Sequence, residues 1–270
     1  MGSDAAVHLF DYQVYRELVV PAIQAFIKTG VADPWLEAII QGSNNVMLPA
    51  YREQYAAKFL HGADFQAHCS YLDHDWAWNG QHQNTKAWFV DWKERACRSS
   101  NCVEINQCSL HILQNGHLAD DLSFLFNEVV EQLCLGPSMF VGRTVTIRFH
   151  QAWLEQQGME PVHPAYQLLN RLGQRGWVIG YGWGGSAEGI HGWLDPAETA
   201  RLAYHLSKIE LPAIKPSLEA MQQALRTFQN QALREEYFPN VAFEALGLAF
   251  IRNLALLAMQ RQQGLLWQNI

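Results

Sequence analysis

No block of lysine or arginine longer than two residues occurs in this 270-residue chain, and its formal net charge is −7. A protein that grips a nucleic-acid backbone needs a basic stripe to displace counterions, so no nucleic-acid partner is expected. The opening Met1-Gly2-Ser3-Asp4-Ala5-Ala6 lacks the basic and apolar regions of a signal peptide. The most apolar run, 245–259, is interrupted by Arg252 and Asn253, short of the ~20 residues a membrane span needs. Five cysteines are an odd count, which argues against a fully paired secreted framework. No low-complexity linker, charge run or internal repeat divides the chain. These absences predict a cytoplasmic protein, one compact domain over 1–270, with neither membrane nor nucleic acid as partner.

Charge is sparse, at 17% of residues, and apolar residues make up 49%. That is ample to offset chain entropy, which excludes disorder and predicts a large core. Ten Trp and thirteen Phe mean that large rings build this core or line a pocket.

Helical periodicity dominates. Residues 12–28 place Val14, Leu18, Ile23, Phe26 and Ile27 on one side, with Pro21 marking a kink or break. Segments 49–60 and 84–95 read as amphipathic helices around a polar connection, His61 to His82. Residues 117–135 carry Leu118, Leu122, Leu125, Phe126, Val129, Val130 and Leu133 at three- and four-residue steps, ending in a Gly136-Pro137 cap and breaker. Residues 139–149, with Phe140, Val141, Val145, Ile147 and Phe149 around Gly142, suit a strand or a buried irregular run, and the alternation of Val145, Ile147 and Phe149 is that of a strand. Helices are predicted at 164–174, 196–209, 216–237 and 240–263, the last apolar on nearly every side and stopped by Gly264. Asp195-Pro196-Ala197-Glu198 carries the signature of a capping box. The predicted fold is mainly α with a few short strands (α+β), around a buried C-terminal helix.

Three cysteines, Cys97, Cys102 and Cys108, fall within twelve residues, and His111 follows. Three thiolates and an imidazole are the donor set of a tetrahedral zinc or an iron–sulfur cluster. In an unbroken helix Cys97 and Cys108 would stand about 16 Å apart, so a shared metal needs the turn that Ser99-Ser100-Asn101 can supply. Cys69, beside His68, is an alternative fourth ligand. The competing reading is of reduced cysteines serving as small apolar side chains. Cys134, at the end of a core stripe, reads as core.

Six glycines fall among the thirteen residues of 180–192. Such backbone lets a ligand approach closely, with Trp183 and Trp193 as stacking faces and Ser186, Glu188 and His191 as polar contacts. The stretch has no Gly-Lys-Ser/Thr and misses the last glycine of a nucleophile elbow. A loop of tight turns sealing one end of the domain is the other reading. Asp73-His74-Asp75 reads as a solvated loop. His163, His205 and the other scattered histidines carry no spacing argument.

The segment from Gly189-Ile190-His191-Gly192-Trp193-Leu194 through the last helix to Gly264-Leu265-Leu266-Trp267 resembles uncharacterised bacterial domains with a late helix and a closing Gly-Leu-Leu-Trp. The resemblance covers the C-terminal third and implies a compact bacterial-type domain, with no activity attached. Two functions remain open. One is a metal-binding protein with zinc or an iron–sulfur cluster in a structural or redox role. The other is a non-catalytic interaction or regulatory module with a protein or small-molecule partner, its pocket at 180–193.

Overall fold

The computed structural model describes residues 4–29, 31–43, 117–143, 147–174 and 189–269. The expected helices at 49–60 and 84–95 and the connection between them lie outside the described residues. The described chain is mainly helical with one antiparallel four-stranded sheet, the α+β class anticipated above. It falls into two compact units.

The smaller unit contains α1 (Tyr12–Val14), a π-helical turn (Tyr15–Val19), α2 (Val20–Thr29), α3 (Pro34–Gly42) and α4 (His117–Cys134). The π turn answers Pro21, which has no N–H to continue an α-helical ladder. The N–H of Val20 instead reaches back to the carbonyl of Tyr15. The wider turn rotates the side chains, so Tyr15 and Val19 are buried while Leu18, expected on the inner side, is exposed. In α4 Leu125, Val129 and Val130 form the predicted stripe, but Leu133 is exposed.

The larger unit is built on the sheet, in the order β2-β1-β4-β3. β1 (Asp4–Phe10) pairs with β2 (Leu135–Arg143) and with β4 (Gly264–Asn269), and β4 pairs with β3 (Gly189–Leu194). The strands nearest the two ends of the sequence are thus the central pair. The expected cap at Gly136-Pro137 is corrected: both residues lie inside β2, which follows α4 directly. Proline is tolerated there because β2 is an edge strand of the sheet among the described residues. The expected strand over 139–149 also stops early, at Arg143. Ile147 opens helix α5 (Ile147–Gln156), whose buried residues Ile147, His150, Gln151 and Leu154 follow helical spacing.

Helix α6 (Pro164–Gln174) packs on β3, and α7 (Pro196–Leu206) packs on α10 (Phe243–Gln260). The single helix expected over 216–237 is two, α8 (Leu218–Gln229) and α9 (Gln231–Tyr237). Asn230 leaves helical geometry between them, and its side chain accepts from the N–H of Leu233. Helix α10 is buried throughout Ala245–Ile251 and lies against β2, β1 and β4, as expected of the central helix. Arg252 and Asn253, which break its apolarity, hold the passing chain: Arg252 Nη2 donates to Pro212 O at 3.1 Å and Asn253 Nδ2 to Ile214 O at 3.0 Å. The stop of α10 is not Gly264. The left-handed position belongs to Gln262 (φ 56°), with Gln263 N–H returning to Ala258 O at 2.9 Å.

Candidate functional site

Cys69, Cys97, Cys102, Cys108 and His111 lie outside the described residues, as do Trp183, Ser186, Glu188 and Asp73-His74-Asp75. Among the described residues no three His, Cys, Asp or Glu side chains gather as a metal site. His191 and Trp193 belong to β3 and are 5% and 1% exposed. The pairing of β3 with β4 shifts register between Ile190 and Gly192, which places His191 at a bulge. Cys134 is buried at the end of α4, as a core residue should be.

Two arrangements of polar groups stand out in the larger unit. The first is inside it. His150 is fully buried between α5, α10 and the sheet, with its ring edge-on to Trp267 at 6.0 Å. Its Nδ1 lies 3.1 Å from the carbonyl oxygen of Glu244 and so carries the proton. Nε2 makes no hydrogen bond, although the Val141 carbonyl stands on its side of the ring. Burial pushes the imidazole down to about 4, and the two carbonyls only partly offset this. His150 is a packed core residue whose burial favours the neutral imidazole.

The second arrangement is at the surface, where an open groove of about 690 Å³ runs between the α5–α6 connection and the end of α7. One wall follows from how α5 ends. Gly158 adopts φ 82°, its N–H donating to Glu155 O, and Met159 N–H returns to Leu154 O at 3.0 Å. This is a Schellman cap, which brings together its flanking apolar pair, Leu154 and Met159; both line the groove. The chain then turns through Glu160 and Val162 to His163. His163 caps α6, its Nδ1 accepting from Ala165 N–H at 3.2 Å, which leaves Nε2 for solvent or ligand.

The facing wall is made by Lys208 and Ile209, just past the end of α7. The His163 and His205 rings meet edge-to-face at 5.6 Å, joining the two walls, and Tyr204 packs on His205 at 5.2 Å. The Lys208 ammonium lies 5.1 Å from the centre of the Tyr204 ring. Burial, then the neighbouring His163 and Arg201, lower the His205 imidazole below its usual range. Val162, which lines the groove, is 70% exposed, so one apolar side chain at its edge is open to solvent.

Sequence reasoning missed this groove. Its lining residues His163 and Lys208 are 45 positions apart and follow different elements, so no local spacing joins them. The legible signal was Gly158 after a helix, which places a left-handed cap but not what packs across it. No family model, curated protein or solved structure matches the chain.

Proposed function

We propose that this chain is a non-catalytic binding module and that it engages its partner through the groove between the α5–α6 connection and the end of α7. The observation that carries the reading is an open groove whose lining joins Leu154, Met159, Ile209 and the exposed Val162 with the polar side chains of Glu160, His163 and Lys208. A contiguous exposed apolar surface rimmed by polar groups is the mark of an interaction site. An enclosed metabolite pocket is concave and buries most of its ligand, which this groove does not. The burial of His191 and Trp193 in β3 favours the groove over the 180–193 stretch as the contact surface.

Selection of a random peptide library on the purified protein tests the reading, with the exposed substitution Val162→Asp as control. Enrichment on the unaltered protein that is lost with the variant is the expected result. Enrichment indifferent to the substitution, or none at all, would refute it.

The clustering of Cys97, Cys102, Cys108 and His111, with Cys69 as alternate, supports a second reading as a zinc or iron–sulfur protein. Metal content and visible absorbance of protein purified without oxygen decide it. A metal-free, colourless preparation that takes up neither metal on reconstitution counts against it.

A further inference from the structure

We propose that His163 and His205 form an acid-released latch, whose neutral rings hold the α5–α6 connection to the end of α7 and whose protonation frees it. The proposal stands on the geometry of the pair and does not depend on the binding-module reading. His163 stands at the start of α6 and His205 in the last turn of α7, and their rings meet at 5.6 Å with planes 79° apart. His163 is also tied to the connection, its N–H donating to Glu160 O at 2.9 Å.

The cap of α6 is what a proton would break. The His163 carbonyl accepts from Gln167 N–H at 3.1 Å, and its Nδ1 accepts from Ala165 N–H at 3.2 Å. Pro164 has no N–H, so Ala165 offers the first amide of this helix and the imidazole satisfies it. An accepting Nδ1 fixes the tautomer: the neutral ring carries its proton on Nε2. A further proton enters at Nδ1, where it turns the acceptor into a donor facing another donor. The same proton places a positive charge at the positive end of the α6 dipole.

The charges around the pair were weighed element by element. From α7, Arg201 acts on His205, and Lys208 just beyond stands 5.1 Å from the centre of the Tyr204 ring that packs on His205. From α5, Glu155 and Arg148 act on Tyr166 of α6, whose hydroxyl donates to Glu155. From the connection, Glu160 lines the same surface as His163 and is the opposing charge. A carboxylate there favours an imidazolium, but it cannot return the acceptor that Ala165 N–H has lost. Two imidazoliums in ring contact also repel each other, beside Arg201 and Lys208. His205 is lowered from 6.5 by burial first, then by His163 and Arg201, so the closed arrangement favours its neutral form. That contribution is complete above about pH 6.5 and is lost as pH falls below it. Both residues are partly exposed, so protons reach them without unfolding. Glu160, Val162 and His163 line the groove, so release of the connection also changes its shape.

Hydrogen exchange by mass spectrometry on the whole chain at pH 7.5 and 5.5, corrected for intrinsic rates, tests the latch. Wild type is compared with His163→Asn, which caps a helix but does not titrate, and with His205→Gln, which keeps the cap and removes the second charge. Circular dichroism checks that each variant is folded. In wild type, protection over 157–167 is expected to fall about tenfold more than protection of α10. The excess should vanish in His163→Asn and shrink in His205→Gln.

No excess in wild type overturns the proposal, as does one that persists in His163→Asn or is undiminished in His205→Gln. A uniform loss across the larger unit also overturns it, since that is global unfolding driven by buried groups such as His150. Nitrogen-15 spectra of the wild-type imidazoles supply a readout that needs no variant. Protonation of His163 Nδ1 must accompany the loss of Ala165 amide protection. A protonated Nδ1 with Ala165 still protected, or an Nδ1 that stays unprotonated while protection is lost, overturns the latch.

Discussion

Gly264 and Gly247 are small because of what faces them. A Cβ on Gly264 would strike the Leu194 carbonyl and lie 3.2 Å from Phe10 Cδ1, so the side-chain-free position lets β4 lie between β1 and β3. A Cβ on Gly247 would run into the buried His150 ring and come 2.9 Å from Val141 O. Backbone carbonyls of a central sheet cannot yield cheaply. Gly264→Ala and Gly247→Ala should therefore each cost about 2–3 kcal/mol in urea unfolding. Gly42, with nothing within 4 Å, is the control: alanine there should be neutral or slightly stabilising. If Gly264→Ala matched Gly42→Ala, the close approach of β4 to Leu194 would be wrong. Trp193, 1% exposed, should cost about 3–5 kcal/mol when cut to alanine.

At the scale of elements, the joint between α6 and α7 is the most closely specified. Asp195 Oδ1 accepts from Glu198 N–H at 2.7 Å, and Asp195 N–H donates back to Glu198 Oε2 at 3.2 Å, completing the capping box legible in the sequence. What the sequence did not announce is that Glu198 also holds Arg171 of α6, with Nη1 to Oε1 at 2.5 Å. Asp195→Ala should cost about 1 kcal/mol, the ordinary value of a cap. Glu198→Ala should cost about 2 kcal/mol, because it also strips a half-buried guanidinium of its partner. Thermal or urea unfolding of both variants measures the difference, and equal losses would show that the Arg171 pairing contributes nothing. Elsewhere local signals were overruled by neighbours. Ile147 and Phe149 alternate like a strand but fold as a helix, because the buried set Ile147, His150, Gln151 and Leu154 needs helical spacing. Gly136-Pro137 looks like a helix stop, yet an edge strand accepts both residues.

For the whole molecule, the consequence of burying neutral imidazoles is sensitivity to acid. His150 has an ordinary value of 6.5 when unfolded and about 4 when folded. Between those values the unfolded chain holds a proton that the folded one does not. Stability is therefore complete above about pH 6.5 and falls with pH down to about 4, by roughly 3 kcal/mol from this residue. His8, lowered by its own burial despite the Gly136 carbonyl, acts in the same direction. Urea midpoints measured from pH 7.5 to 4.5 should fall, and fall less in a His150→Gln variant that still folds. A wild-type slope no steeper than that of the variant would remove His150 as the cause.

The order of elements along the chain was partly determined by sequence alone. The helices at 164–174 and after Asp195, the stripe of α4 and the all-round burial of α10 come from spacing and caps, which act over a few residues. The sheet was mostly illegible. β1 and β4 are short and buried, and they pair across more than 250 positions, so their partners supply the reason for their conformation. The left-handed stop at Gln262 is likewise set by where β4 must begin. The groove belongs wholly to tertiary structure, since His163 and Lys208 come to line one surface only when the α5–α6 connection and the end of α7 pack side by side. Local rules act through the backbone within one turn or strand, whereas a site is a convergence of elements, and that is decided by which apolar faces find each other.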